Sequence, residues 1–430
     1  MTSIMWFRRD LRLRDHPALS AAVSDGAVLP LFVLDPAFEA AGAPRRALLH
    51  DCLAALDDAT GGALVIRSGD PTVLLPDIAD EFDASTVYVS RDYSPYGRRR
   101  DETVADALRA AGRRLCGVGS PYAVAPGEVT KDDGDPYSVF TPFSRRWRDH
   151  GWDDPVDAPR APDWVEAPSD GLPPRPDVPF EIPSASETNV IARWRTFRDD
   201  GLDEYADRRD LPALRGTSEL SPFLKYGVVH PRQLLAETDG RNEGHRVFQT
   251  ELAWRDFYAD VLYQRPHTAW ENLDDRFDRI DVDTGPEAEE KFRRWQEGRT
   301  GFPIVDAGMR QLREIGWMHN RVRMIVASFL VKDLHLPWQW GARHFMQHLL
   351  DGDLASNNHG WQWAAGTGTD ASPYFRVFNP TTQYERWDPT GEYAARWITE
   401  VGTAEYPEPM VDHRAEREEA LARYQAIKSS

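Results

Sequence analysis

The sequence predicts a two-domain chain: an α/β domain built on a doubly wound parallel sheet, joined by a long connection to an all-helical domain. Three observations support this prediction. The chain has 430 residues, more than one hydrophobic core usually serves. Short apolar runs alternate with amphipathic stretches in its first quarter, as in proteins with parallel sheets. Beyond residue 186 the apolar residues recur at helical spacing.

The first domain is predicted to span residues 1–125. Its apolar runs predict buried strands over residues 4–7, 28–34, 63–67 and 86–89. The stretches between them predict helices over residues 16–24, 45–59, 71–82 and 98–111. Such a sheet receives its ligand at the carboxyl ends of the strands. WFRRDLRLRD follows the first run in place of a GxGxxG motif, so no dinucleotide is expected on a Gly-rich turn there.

Residues 126–186 are predicted to form the connection, because prolines recur there and periodicity is lost. The aromatic-rich part PYSVFTPFSRRW, residues 136–147, is expected to pack down. The helical domain is predicted over residues 187–430. Its helices are expected over residues 187–199, 231–237, 243–264, 286–297, 303–315, 320–333, 338–350 and 414–427.

Composition limits the class of protein. The formal net charge is −19, and only five of the 51 basic residues are lysines. An acid-rich, Lys-poor surface indicates a halophilic host with a salt-rich cytoplasm, although an ordinary acidic protein remains an alternative. This charge disfavours a nucleic-acid partner unless a basic face is local. Two cysteines exclude a disulfide framework, and the lack of a secretory signal or membrane-length apolar run predicts a soluble, cytoplasmic protein.

The segment 351–380, DGDLASNNHGWQWAAGTGTDASPYFRVFNP, concentrates polar and aromatic residues that suit a plain core helix poorly. Its carboxylates, amides and indoles are costly to bury without partners. The segment therefore predicts contact with a polar, planar ligand. Asp351 and Asp353 are compatible with Mg²⁺ ligation, with an ion pair to Arg323, or with acceptance of an imide N–H from a heterocycle.

Three other groups could carry chemistry, and each has a structural alternative. The Thr/Ser-rich residues 217–221 could cradle phosphate, although helix N-capping is the commoner use of such residues. Glu251, Trp254 and Arg255 share one helix face and could grip a flipped base, or form a surface ion pair beside a half-buried Trp. His319 could be a general acid or a metal ligand, but the spacing of the other His and Cys residues favours a structural hydrogen bond.

Several long segments resemble the photolyase/cryptochrome family, and most closely its class I cyclobutane pyrimidine dimer photolyases. They include WFRRDLRLRDHPAL, DPYSVFTPF, RDLPALRGTSELSPFLKYG and QTELAWRDFY. The most specific are GRTGFPIVDAGMRQLREIGWMHNRVRMIVASFLVKDL and the segment 351–380. The resemblance covers nearly the whole chain. It implies light-driven repair of cyclobutane pyrimidine dimers in DNA, by electron transfer from excited reduced FAD to a flipped-out dimer.

The resemblance also makes the all-helical part an FAD-binding domain. The positions that match FAD contacts are Tyr205, Thr217, Ser218, Glu219, Leu220, Ser221, Asn320, Arg323, Asp351, Gly352, Asp353 and Asn357. Asn357 matches the position beside flavin N5, where an amide stabilises reduced flavin. Plant cryptochromes carry Asp at that position, so the Asn favours repair. This assignment leaves no role for Mg²⁺ at the two aspartates.

The dimer pocket is matched by Glu251, Trp254, Asn320, Met324 and Trp363, and the phosphate contacts by Arg255, Arg321 and Arg376. Glu251 is expected to hydrogen-bond a pyrimidine carbonyl as negative charge grows there. Relatives that repair (6-4) photoproducts carry His at the positions of Asn320 and Met324. The residues present here therefore favour cyclobutane dimers.

Electron supply and light harvesting are implied less completely. Trp361 and Trp338 match the first two of three tryptophans that carry electrons to oxidised FAD, but the third falls near Val282. Another aromatic, such as Trp340 or Trp295, is expected to end the path. An antenna chromophore is expected in the first domain, of the deazaflavin type because the Glu of folate-type relatives falls near Gly97. Its candidate contacts are Asp35, Asp92, Arg100 and Lys225.

Two other functions remain open from the sequence. A cryptochrome-like blue-light photoreceptor would bind FAD and signal through partners without repair, but such proteins often carry a long C-terminal tail and lose the dimer pocket. A flavin-containing single-strand binder would present a similar groove. The expected partner is UV-damaged DNA, bound by a monomer without an obligate protein partner, and no metal is expected.

Overall fold

The computed structural model describes residues 2–369 and 375–428, so residues 370–374 of the segment 351–380 lie outside the described part. The first part of the chain forms a five-stranded parallel sheet in the order β3–β2–β1–β4–β5. The strands are β1 (Thr2–Phe7), β2 (Ala27–Leu34), β3 (Val65–Ser68), β4 (Ala84–Val89) and β5 (Arg114–Gly117). The chain runs outward from β1 to β3 and returns to β4, so the doubly wound prediction is confirmed. The sequence missed β5, a short edge strand without buried residues.

Helices cover both faces of this sheet, which is why β1 is apolar on both sides. Ile4 and Trp6 belong to one core, and Met5 and Phe7 to another. The helices are α1 (Pro17–Ser24), α2 (Ala43–Ala59), α3 (Pro71–Glu81) and α4 (Pro95–Ala110). Each has Pro in its first turn, where the missing N–H costs nothing.

The connection contains a helix, α5 (Phe140–His150), which the sequence did not predict. Phe143 and Trp147 on this helix are buried, so the expectation that this stretch packs down is confirmed. The indole N–H of Trp147 donates to the carboxylate of Asp256 at 3.0 Å. The domain limits at residues 125 and 186 stay a prediction.

The rest of the described chain is helical, as predicted. Its helices are α6 (Glu187–Asp200), α7 (Tyr205–Arg208), α8 (Ser221–Tyr226), α9 (Pro231–Ala236), α10 (Glu243–Gln264), α11 (Pro286–Glu297), α12 (Pro303–Ile315), α13 (Asn320–Lys332), α14 (Trp338–His348), α15 (Leu354–Ala365), α16 (Pro380–Trp387), α17 (Glu392–Trp397) and α18 (His413–Lys428). The bounds of α10, α11 and α12 equal those predicted.

α15 corrects one expectation, because the first half of the segment 351–380 does form a largely buried helix. Its polar side chains find partners inside the protein. Gln362 donates to the Thr268 carbonyl at 2.8 Å and accepts from the Leu273 N–H at 2.9 Å. His359 is paired with the Ala355 carbonyl and the Thr268 hydroxyl. Such pairing removes the desolvation penalty that made the helix improbable.

The hydrophobic cores do not follow the predicted domain limits. One core joins residues of the sheet, the connection and α6 to α10, from Met5 to Val261, together with Leu350. A second core belongs to α11 to α15 and α17. Among the described residues, no helix is both long and apolar enough to span a bilayer.

Candidate active site

α13 turns one charged side chain toward a buried carboxylate. Arg323 donates from both terminal nitrogens to Asp351, at 3.1 and 2.8 Å, and the Ser221 hydroxyl donates to Asp351 at 2.6 Å. The Arg323 Nε donates to the Met318 carbonyl at 2.8 Å, which fixes the guanidinium plane. Three predicted cofactor residues, Ser221, Arg323 and Asp351, are thus brought together.

The other residues of the Thr/Ser-rich stretch are placed differently. Thr217 and Ser218 are half-buried, and Leu220 lies in the core. Glu219 is exposed and pairs with Arg193 at 3.0 Å. Leu220 is the N-cap of α8 and makes no side-chain capping bond, while the Ser221 hydroxyl is engaged by Asp351. The N-capping alternative is therefore wrong for this stretch.

Tyr205 is buried at the start of α7, and its ring packs edge-on against Phe197 and Phe248. The guanidinium of Arg209 lies 5.5 Å from the centre of this ring. Tyr205 therefore links the predicted cofactor residues to the charged residues around Glu251.

Asp353 lies where the two parts of the chain meet. One oxygen caps α15 by accepting from the Ser356 N–H at 3.1 Å, and the other accepts from Arg9, after β1, at 2.5 Å. Lys225 of α8 lies 4.0 Å from the same oxygen. Burial raises the pKa of Asp353, but Arg9 and Lys225 outweigh it and hold that pKa well below its usual range. Both oxygens are thus already bonded to protein groups.

Asn357 and Gly360 lie one turn apart on α15 and border open space. The Asn357 amide donates to the Ala342 carbonyl at 3.1 Å and to the Asn358 side chain at 2.8 Å. A Cβ at Gly360 would have no atom within 4 Å, although this residue is half-buried. Gly352, next to Asp351, lies close to the Arg45 side chain, which a Cβ there would meet at 3.1 Å.

A row of alternating charges runs from α10 to α13. Arg209 donates to Glu251 at 2.5 Å, and Arg321 donates to Asp210 at 2.7 Å. The Arg209 Nε lies 3.8 Å from Asp210, which closes the row. The sulfur of Met324 lies 3.8 Å from Arg321. Three predicted dimer and DNA residues, Glu251, Arg321 and Met324, are therefore neighbours through a pair that the sequence did not single out.

Aromatic side chains flank this row. Trp254 stacks on Phe140 of the connection, with ring centres 3.6 Å apart and planes 8° apart. Trp363 lines a small cavity of about 40 Å³ with Lys332. Asn320 and Arg376 are exposed, and the Arg376 carbonyl accepts from the Lys332 ammonium.

Arg255 does not lie where the sequence placed it. Its guanidinium donates to the carbonyls of Pro121 at 2.9 Å and Leu224 at 3.2 Å, and covers the ring of Tyr122. The shared helix face with Glu251 is therefore not realised by its side chain. These bonds hold Arg255 between the two parts of the chain, and its placement does not support a phosphate contact.

The tryptophans predicted to carry electrons are both buried. Trp361 lies 2% exposed on α15, and its ring contacts Trp295 and Phe345. Trp338 donates its indole N–H to the Asn272 side chain at 2.9 Å. Val282 and Trp338 line the same cavity of about 250 Å³.

The predicted antenna residues gather at the carboxyl edge of the sheet. Asp35 follows β2 and accepts from the Tyr96 hydroxyl at 2.6 Å, and Asp92 follows β4 and pairs with Arg100 at 3.3 Å. Arg100 lies 5.7 Å from the centre of the Tyr96 ring. Lys225 is near enough for Asp92 to affect its pKa. Burial raises the pKa of Asp92, but Arg8, Arg100 and Arg9 outweigh it and lower the value to about 2.

His319 caps α13, since its Nδ1 accepts from the Arg321 N–H at 3.2 Å. Burial lowers the pKa of His319 to about 4, so it is a neutral hydrogen-bonding residue, as the sequence favoured. Across residues 2–369 and 375–428, no three His, Cys, Asp or Glu side chains are grouped so as to hold a metal ion.

Two family models match most of this chain. The model "DNA photolyase" matches residues 3–162, and "FAD binding domain of DNA photolyase" matches residues 248–405. A deoxyribodipyrimidine photo-lyase of Halobacterium salinarum is 39% identical over 98% of each chain. The chain belongs to the DNA photolyase family.

Solved structures of the family agree with the fold. A class III photolyase from Agrobacterium tumefaciens is 37% identical, with a TM-score of 0.92 over 100% of this chain and 98% of that one. A cryptochrome from Synechocystis is 26% identical, with a TM-score of 0.88 over 99% of this chain and 98% of that one. The family resemblance and the fold class inferred from the sequence are confirmed.

The residues present fit the FAD that this family's helical domain binds. The open space beside Gly360 is bordered by the Asn357 amide, which can face a polar ring. The Arg323–Asp351 pair supplies a positive group and an acceptor for a ring N–H. Thr217 and Ser218 provide half-buried hydroxyls for phosphate oxygens.

Sequence reasoning missed several residues of this photolyase-family site. Arg209 and Asp210 complete the charged row, and the ring of Trp387 lies 4.5 Å from the Arg321 guanidinium. Arg9 anchors Asp353 from the first domain. The run RRD at residues 208–210, just before the Thr/Ser-rich stretch, was the available signal. Arg9 could not have been paired with a residue 344 positions away.

Proposed function

We propose that this protein repairs cyclobutane pyrimidine dimers in DNA with light, using FAD held in the helical domain. One observation carries the proposal: α13 serves two sites. Arg323 pairs with Asp351 on the cofactor side, while Arg321 and Met324 face the row that contains Glu251. A cofactor and a flipped base can therefore lie on either side of one helix. When bound and reduced, FAD supplies on illumination the electron that opens the cyclobutane ring.

Glu251 and Arg209 are suited to hold a pyrimidine edge together. A carboxylate paired with Arg209 at 2.5 Å is ionised and only accepts hydrogen bonds, so it can receive an imide N–H. The guanidinium donates, and it can approach a pyrimidine carbonyl on which negative charge develops. The geometry thus supports Arg209, rather than Glu251 alone, as the donor to the carbonyl.

Apolar side chains give this site a dry wall. Trp254 is fixed by its stack on Phe140, and Met324 and Trp363 are half-buried. Such surfaces accept the face of a flipped base and exclude water, which strengthens the polar contacts. Arg321 and the exposed Arg376 supply local positive charge for the DNA backbone despite the net charge of −19.

The decisive experiment illuminates the reduced protein with an oligonucleotide that contains one thymine dimer. Repair predicts light-dependent loss of the dimer, with a dark sample as control. A photoreceptor or a single-strand binder predicts no loss under the same anaerobic, reducing conditions. That result would refute the proposed function.

We further propose a deazaflavin-type antenna at the carboxyl edge of the sheet. A Cβ at Gly97 would lie 2.1 Å from the Asp92 carboxyl carbon, so a larger residue there is incompatible with the Asp92–Arg100 pair. This pair, with Asp35 and Lys225, offers both hydrogen-bond donors and acceptors. Reconstitution with a deazaflavin or with a folate, followed by excitation spectra of energy transfer, separates the two types. The protein is proposed to act as a cytoplasmic monomer.

A further inference from the structure

A continuous row of aromatic rings leads from Trp361 to the protein surface. The rings of Trp361 and Trp295 are 6.1 Å apart, those of Trp295 and Phe292 5.6 Å, and those of Phe292 and Trp340 5.3 Å, measured between centres. Trp361 and Trp295 are buried, whereas Trp340 is half-exposed. The row therefore joins a buried indole to one that water reaches.

The route through Trp338 lacks such continuity. Within the described part of the chain, Trp338 has no ring contact like those of Trp361. Outward of it lies the cavity of about 250 Å³ that Val282 also lines. Valine cannot be oxidised by an indole radical, so a charge that reached Trp338 would meet an apolar gap on this side.

We propose that electrons reach the flavin through Trp340, Trp295 and Trp361 in that order, with Phe292 as the bridge between the outer two. This inference rests on the proposed FAD photochemistry. Two of the rings, Phe292 and Trp340, belong to helices α11 and α14, which pack beside α15.

The chemistry of each indole fits its place. After Trp361 gives one electron toward the photoexcited flavin, Trp295 refills it and Trp340 refills Trp295. The Trp295 N–H donates to the Val326 carbonyl at 3.1 Å, and a carbonyl is too weak a base to take this proton. The neighbouring His344 stays neutral, because burial and His348 lower its pKa to about 3, so no fixed charge opposes a hole on Trp295. The positive charge therefore moves outward.

Trp340 ends the route because water can accept its indole proton. Loss of that proton leaves a neutral radical, which prevents rapid return of the electron. A soluble thiol then donates a hydrogen atom to the radical and restores the indole. Two oxidised thiols combine as a disulfide, so electrons and protons balance over two turnovers. Phe292 is too hard to oxidise to hold the charge and provides only contact.

The test follows photoreduction of the oxidised, FAD-containing protein under blue light with a thiol, by flavin absorbance and by the transient spectrum of tryptophan radicals. Trp340→Phe should lower the yield of long-lived radical and the photoreduction rate about tenfold, whereas Trp338→Phe should lower them less than about twofold. Trp164→Phe, at a half-buried indole of the connection, controls for the substitution. Unchanged photoreduction in Trp340→Phe, or a larger loss in Trp338→Phe, would overturn the route.

A conservative variant separates electron transfer from packing. Trp340→Tyr keeps a ring that can be oxidised, so it should retain most of the photoreduction that Trp340→Phe loses. Equal losses in both variants would assign Trp340 a packing role and overturn the inference. Repair by chemically reduced wild-type protein is measured in parallel. Its failure would refute the proposed function, whereas normal repair with unaffected photoreduction in Trp340→Phe would refute only the route.

Discussion

Arg9, Lys225 and Asp353 form a charged cluster between the two parts of the chain, and Arg9→Gln tests what keeps Lys225 neutral. Burial and then Arg9 lower the pKa of Lys225 from 10.5 to about 7, against the opposing effect of Asp353. Between these two values the unfolded state binds one proton more than the folded state. Stability of the wild-type protein should therefore rise with pH from about 7 upward.

The size of this effect follows from the single proton. One proton changes the free energy of unfolding by about 1.4 kcal/mol per pH unit, so the wild type should gain about 2 kcal/mol from about pH 7 to about pH 9. Arg9→Gln removes a cation that lowers the pKa of Lys225 and leaves Asp353, 4.0 Å away, which raises it. The variant should gain less than about half as much over the same range.

Arg9→Gln should also lower stability at about pH 7 by about 2 kcal/mol. This is less than the loss expected for a fully buried pair, because the Arg9 side chain is 24% exposed and glutamine can still donate to Asp353. The assay is thermal unfolding of the FAD-containing protein at several pH values and fixed salt, with FAD content recorded. Lys225→Met removes the titrating amine and serves as the control. Parallel pH profiles in the wild type and Arg9→Gln would refute the role assigned to Arg9.

Four further outcomes are expected. Glu251→Gln should lower repair per absorbed photon about tenfold while changing affinity for dimer-containing DNA less than about threefold, because the ion pair with Arg209 is lost; an unchanged yield contradicts this. Asp351→Asn should speed release of FAD about tenfold, followed by flavin fluorescence, since Arg323 loses its counter-charge; equal release rates count against it. Gly97→Ala should displace Asp92 and abolish energy transfer from an added deazaflavin without changing repair by directly excited FAD; intact transfer would argue against this antenna position. The melting temperature should rise as KCl is added toward molar concentration, and a fall would contradict adaptation to salt.

Periodicity sufficed for the elements whose burial is one-sided. α10, α11 and α12 were predicted with the observed bounds because each carries an apolar stripe between clear boundary residues. α15 was not predicted, since its buried face contains His359 and Gln362, whose partners come from a loop about 90 residues earlier in the chain. Local propensity contains no information on such partners.

The same limit applies to the candidate site. Ser221, Arg323 and Asp351 were predicted on motif grounds, and the structure brings them within hydrogen-bonding distance. Arg255 was assigned to the wrong surface, because helical spacing fixes the direction of the Cα–Cβ bond but not where a long side chain ends. The carbonyls of Pro121 and Leu224, which hold its guanidinium, belong to loop and helix segments that only the tertiary fold brings near.

The shared core has a consequence for synthesis on the ribosome. Phe143 of α5 packs against Phe257 of α10, with ring centres 5.0 Å apart, and Trp147 is bonded to Asp256. The chain emerges from its N-terminus, so the sheet can form while these aromatic rings still lack their later neighbours. About a hundred residues must follow α5 before α10 leaves the exit tunnel. A translational pause in that interval would prolong exposure of an adhesive surface, so the speed of elongation through α6 to α9 bears directly on the yield of folded protein.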